Sequence, residues 1–203
     1  MASSPVVPKS LTMVDPGADV VAYLKLQHAE IKGLFAETLN ASGDDREAKF
    51  LALRRLMATH EATEEELVHP AAERALGAKG REIVMARLGE ERTATTEITE
   101  IERLAVDSLQ FEMALRKLEA DVVRHATREE NDEFPVLSGV SAGGLQGVHG
   151  VVRDLYVDGQ TVPGGQRSTR DIGPFVAMLN HARDLLAGNR THEGTRAART
   201  AVE

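Results

Sequence analysis

Apolar residues recur at helical spacing through most of this chain. Val21, Leu24, Ile31 and Phe35 fall on one face and predict a first helix ending at Asn40. The turn NASGDD follows, with Asp44 or Asp45 placed to cap the next helix. That second helix carries Phe50, Leu53, Leu56, His60, Glu64 and Leu67 as its inward stripe. Pro70 kinks it or ends its regular part, because proline lacks the N–H the helix needs and its ring crowds the turn before it. Gly77 and Gly80 mark the break, and Ile83, Val84, Leu88 and Ile98 predict a third helix reaching Val106. Asp107 or Ser108 can cap a fourth that runs to Pro135. Four long helices with short connections predict antiparallel neighbours, hence an all-α, up-down-up-down four-helix bundle over residues 17–135.

The flanks read differently. Residues 1–16 are rich in Ser and Pro and predict a flexible segment. Beyond Pro135, SGVSAGGLQGVHG and DGQTVPGGQRSTRD predict a loop-rich C-terminal extension over 136–188. It ends in a short fifth helix, GPFVAMLNHARDLLAG, whose apolar face of Phe175, Met178, Leu179, Leu185 and Leu186 packs on the bundle. Residues 189–203 read as a solvated tail.

Composition narrows the chemistry. The chain has 203 residues, 42% of them hydrophobic, which is enough for one well-buried core and fits one domain with tails. A net charge of -8 without a clustered basic face excludes nucleic acid and anionic membranes as expected partners. No leader-like start or long apolar run is visible, so a cytoplasmic location is expected. With no cysteine, any metal must be held by nitrogen and oxygen donors. No serine–histidine arrangement suggests a hydrolase, and no glycine-rich loop between strand and helix suggests phosphate binding.

The chemistry-bearing feature is an internal echo: HEATEEELVHP from His60 and HATREENDEFP from His125. Each has Glu four residues after the His, a second Glu directly after that, and Pro ten positions beyond the His. Positions i and i+4 lie on one helix face, so His60/Glu64 and His125/Glu129 are two-ligand clips, and two clips on two helices can face each other. Both interrupt apolar seams, and His28 interrupts the seam of the first helix. Burying such groups costs about several kcal/mol apiece unless a cation lies between them. Imidazole with carboxylate suits iron, manganese or zinc, and bridging carboxylates favour two metals.

QHAEIKGLF around His28, the two clips followed by Pro, and GPFVAMLNHARDLL together resemble the hemerythrin HHE cation-binding family in its longer bacterial form, over residues 20–188. The resemblance implies a four-helix bundle and a non-haem di-iron centre, oxo- or hydroxo-bridged, in a monomer or weak homo-oligomer. It also implies activity toward dioxygen, peroxide or nitric oxide, as in oxidative-stress defence; a non-enzymatic iron or oxygen store or sensor is the alternative. This chain departs from the family in the third helix, where LGEERTATTEI replaces the usual His-bearing sequence. Glu91 is the candidate replacement ligand, with Glu90 or no ligand as alternatives. The expected metal set is therefore His28, His60, Glu64, Glu91, His125 and Glu129. A site richer in carboxylate favours ferric iron, so peroxide turnover is expected over reversible oxygen carriage.

Lesser candidates remain. Glu61 is expected to be solvated or to support a ligand from behind, and Glu65 and Glu130 to orient imidazoles or face water. His69 aligns with Phe134 in the echo, which suggests a packing position. His149 and His181 lie beyond the bundle; His181 could cover the site, but a structural role is favoured. Neither Tyr23 nor Tyr156 is placed at the metal by its spacing.

Overall fold

In the computed structural model, the described residues are 20–137 and 173–200, with side chains of the last helix described as far as Gly188. His149 and Tyr156 lie outside them. Every regular element among the described residues is helical: α1 (Val20–Asn40), α2 (Gly43–Thr63), α3 (His69–Leu76), α4 (Ala78–Ile101), α5 (Leu109–Arg128) and α6 (Pro174–Thr200). A π turn, Glu64–Val68, joins α2 to α3, and a second, Glu129–Glu133, extends α5 into a 3-10 turn, Phe134–Val136.

Local chemistry sets the ends. Ser108 caps α5, its hydroxyl accepting the N–H of Phe111 at 3.1 Å. Asp107 does not cap that helix; its carboxylate accepts the N–H of Gly43 at the start of α2, at 3.0 Å to each oxygen. Asp44 and Asp45 lie in the first turn of α2, where negative charge suits the helix dipole, while Ser42 holds the cap position without a side-chain bond. Between α3 and α4 the chain reverses at Gly77, whose φ of 60° favours glycine. At Gly80 the two helices approach so closely that a Cβ would lie 2.4 Å from the Ala72 carbonyl oxygen.

Around the core α1 packs on α2 and α5, α4 on α5, and α6 on both α2 and α4. Leu24, Phe35, Leu53, Leu56, Ile98, Leu115 and Phe175 are fully buried, each contributing roughly 1.5–3 kcal/mol of hydrophobic stabilisation. The α6 face of Phe175, Met178, Leu179, Ala182 and Leu186 is buried, and Leu185 packs at its edge. Glu102, just past α4, fastens the start of this helix: it accepts the Phe175 N–H at 2.8 Å and pairs with Arg54 of α2. Further along, Arg183 of α6 forms a two-pronged ion pair with Glu65.

Two features depart from the sequence reading. The fifth helix is not short: its 27 residues continue to Thr200, through most of the expected tail. The segment NRTHEGTRAART has no proline and one glycine, so nothing in it stops a helix already begun. Leu67, expected on the inward stripe of α2, is only partly buried, while Val68 and His69 are inside. The π turn shifts the register there by one residue.

Candidate metal centre

His60 stands in the last turn of α2 and Glu64 opens the first π turn; His125 and Glu129 hold the matching places on α5. Within each clip the facing atoms are close, His60 Nε2 to Glu64 Oε1 at 3.3 Å and His125 Nε2 to Glu129 Oε1 at 2.9 Å. His28 of α1 joins them, its Nε2 lying 3.1 Å from His60 Nε2 and 3.2 Å from Glu129 Oε2. Across the pair, His125 Nε2 lies 4.0 Å from Glu64 Oε2. Two groups result, each with donor atoms within 4.8 Å of one another: His28, His60, Glu64, Glu129 and Glu64, Glu91, His125, Glu129. They share the two clip carboxylates.

The outer ring nitrogens show which way the imidazoles are set. Nδ1 of His60 donates to Gln27 Oε1 at 2.9 Å, Nδ1 of His28 to Glu130 Oε1 at 2.9 Å, and Nδ1 of His125 to Glu90 Oε2 at 3.0 Å. Gln27 is itself fixed by donating its amide to the buried Tyr23 hydroxyl at 2.9 Å. With Nδ1 carrying the hydrogen, Nε2 presents a lone pair, the tautomer a metal requires. All three Nε2 atoms point at the shared carboxylates. The bonds also reveal a pseudo-twofold pattern: Gln27, just before His28, steadies His60, and Glu90, just before Glu91, steadies His125. Glu91 thus occupies the place on α4 that His28 occupies on α1, and Glu90 stands behind an imidazole instead of beside the cluster.

The π turns bring in a residue that helical spacing hid. On a regular helix a residue nine positions after the clip His would point about 180° away. Each π turn, closed by the His69 N–H on the Glu64 carbonyl and the Phe134 N–H on the Glu129 carbonyl, widens the helix by one residue and returns that position to the interior. The proline that follows has no N–H to contribute to a regular turn. Phe134 stacks on the His28 ring, centroids 5.6 Å apart and planes 8° from parallel. His69 is not a packing residue: Nε2 bonds Glu91 Oε1 and Nδ1 bonds Glu133 Oε1, each at 2.8 Å. Burial opposes charge on this ring, yet the bonds to Glu133 and Glu91 prevail and raise its pKa to about 10.

Without a cation the cluster is a poor place for its own charges. Burial and the neighbouring Glu129 push the Glu64 carboxyl well up, and burial and His28 push the His60 ring well down. Burial opposes charge on Glu129 and His125 too, but the His125 and His28 bonds hold Glu129 down, and Glu129, Glu64 and Glu90 hold His125 up. Glu91 Oε2 is buried without a hydrogen bond, and the buried oxygens of Glu64 and Glu129 face only the Nε2 atoms of the three imidazoles. Carboxylate oxygens of Glu64, Glu129 and Glu91 converging with three imidazole Nε2 atoms fit divalent cations, and cation binding would displace the protons now shared among them.

A family model described as the hemerythrin HHE cation binding domain matches residues 19–137. The chain belongs to that family. Among solved structures, a hemerythrin HHE cation binding domain-containing protein from Mycobacterium kansasii superposes with a TM-score of 0.61 at 18% identity, covering 81% of this chain and 99% of the other. It shares the fold. No curated protein matches this chain.

Beside the hemerythrin-like cluster lies a cavity of about 240 Å³. Its inner wall includes His28, His60, Glu91 and His125, its sides Ile31, Met57, Ala94 and Val122, and its rim Lys32, Arg124 and Arg128. Glu61 also lines it and is buried, not solvated; burial and Glu91 push its carboxyl up. Of the repeated acids, Glu130 orients an imidazole, whereas Glu65 is taken by Arg183. His181 is exposed and does not cover the cluster. Spacing alone did not reveal Gln27, His69 or Glu133. The signal available for His69 was Pro70, since a proline within a continuing helix implies a widened turn before it.

Proposed function

We propose that this hemerythrin-family chain is a non-haem di-iron protein that reacts with hydrogen peroxide, with dioxygen and nitric oxide as further small ligands, in oxidative or nitrosative stress defence. The observation that carries the reading is the pair of four-residue groups sharing Glu64 and Glu129. In this reading His28 and His60 would hold one ion, Glu91 and His125 the other, and the two clip carboxylates, common to both groups, would serve both. The helices bearing them run up-down-up-down. Iron, when bound, supplies one- and two-electron redox chemistry.

The chain's own residues bind, orient and shield. Gln27, Glu130 and Glu90 hold the Nδ1 protons and so keep each Nε2 free. The apolar sides of the cavity limit bulk water while admitting a small molecule to the cluster. Peroxide disproportionation balances without an outside reductant, two molecules giving two waters and one dioxygen. Three imidazoles against three carboxylates favour the ferric state and disfavour reversible oxygen carriage.

Protein purified without chelator should hold two iron ions per chain, show oxo-bridged ferric bands in its ultraviolet-visible spectrum, and evolve oxygen from peroxide. Replacing His125 with Ala should abolish the turnover. Activity no greater than that of free iron would leave a storage or sensing role instead, and absence of bound metal would end the reading.

A further inference from the structure

The third helix offers a carboxylate where the first offers an imidazole, and a carboxylate on a mobile side chain can turn either oxygen, or neither, toward a cation. The structure restrains this one. His69 reaches Glu91 from the π turn after α2 and holds Oε1 at 2.8 Å, while Glu91 Oε2 is buried with no hydrogen bond. The other face of the ring is anchored on Glu133, a fully buried residue of the opposite π turn. His69 therefore cannot turn away without leaving two buried carboxylates unpartnered, a costly outcome.

Symmetry supplies an independent argument. The residue nine positions after each clip histidine buttresses the cluster residue of a neighbouring helix: Phe134 stacks on His28, and His69 grips Glu91. An aromatic ring suits an imidazole, and a double hydrogen-bond donor suits a carboxylate. The two pairs, Phe134 with His28 and His69 with Glu91, are matched alternatives at equivalent places.

Resting on the two-metal reading above, we infer that His69 is a positioning residue whose grip on Glu91 Oε1 presents Oε2 to the second cation, and that His69 and Glu91 together replace the ring-on-imidazole pair of the first helix. His69 touches no cation itself. It acts through Glu91, with Glu133 keeping its ring in place.

The test compares full-length wild type, His69→Phe, His69→Gln and the double variant His69→Phe/Glu91→His. Each is titrated anaerobically with ferrous iron against a chromophoric chelator, with bound iron counted by elemental analysis. Wild type should bind two ions. His69→Phe should keep the His28/His60 ion and weaken the other at least tenfold, and His69→Gln, which retains one donor, should fall between. The double variant rebuilds at α4 the pair seen at α1 and should regain two ions, a recovery that a mere packing role for His69 would not give. Should His69→Phe fail to fold, the double variant alone decides, by binding two ions or one. Equal binding of both ions by His69→Phe and wild type, or a double variant that stays at one ion, overturns the inference. Wild type that binds no iron instead sinks the two-metal reading on which it stands.

Discussion

At the residue scale, the distances separate the six side chains that converge on one another in the cluster from the groups that hold those side chains still. Gln27 belongs to the second kind, reaching His60 with one end and Tyr23 with the other. Gln27→Leu should leave the helix intact yet lower metal affinity by about 10–100-fold, as loss of an imidazole's outer partner commonly does; isothermal titration would show it. Glu130→Ala should do the same through His28. His28, both clips and Glu91 were legible in the sequence because each sits on an apolar seam at regular spacing. Gln27 and Glu90 were not, because a residue next to a ligand points about 100° away on its own helix and acts on a different helix's imidazole. That partnership exists only after packing.

At the element scale, the two π turns account for most of what the sequence hid. Apolar periodicity assumes an unbroken 3.6-residue repeat, so one extra residue after Glu64 put Leu67 on the inward stripe and left His69 read as a packing position, not as the partner of Glu91. The long fifth helix was half legible: its apolar face announced itself, but the polar stretch beyond Gly188 carried no periodic signal. What holds that helix can be apportioned. Arg183 and Glu65 are partly exposed, so Arg183→Ala should cost no more than about 1 kcal/mol. Leu179→Ala opens a hole under the buried face of α6 and should cost about 2–5 kcal/mol. Urea unfolding of both variants, with the midpoint and slope fitted together, would show whether the apolar face or the ion pair dominates.

At the scale of the whole molecule, buried acids and imidazoles link stability to occupancy. Ferrous or zinc ions at one hundred times their dissociation constant should raise unfolding free energy by about 2.7 kcal/mol per site, and calorimetry with and without chelator should record the shift. Weak buffer should acidify as metal is added, because the protons on Glu64 and His125 must leave. The all-helical architecture and the family were legible from the echo and the seams; the contact of α6 with both α2 and α4 was not, since no local signal says where a fifth helix docks. The three cluster imidazoles all border the cavity but are unequally sheltered: His28 is only 3% exposed, whereas the side chain of His125 is 12% exposed. With two ions bound, such a molecule should fill and empty in order, its outer berth trading ions with the surroundings while the inner one keeps its tenant. Brief dialysis against a mild chelator should therefore leave a half-loaded form, into whose vacant berth a different metal can be placed.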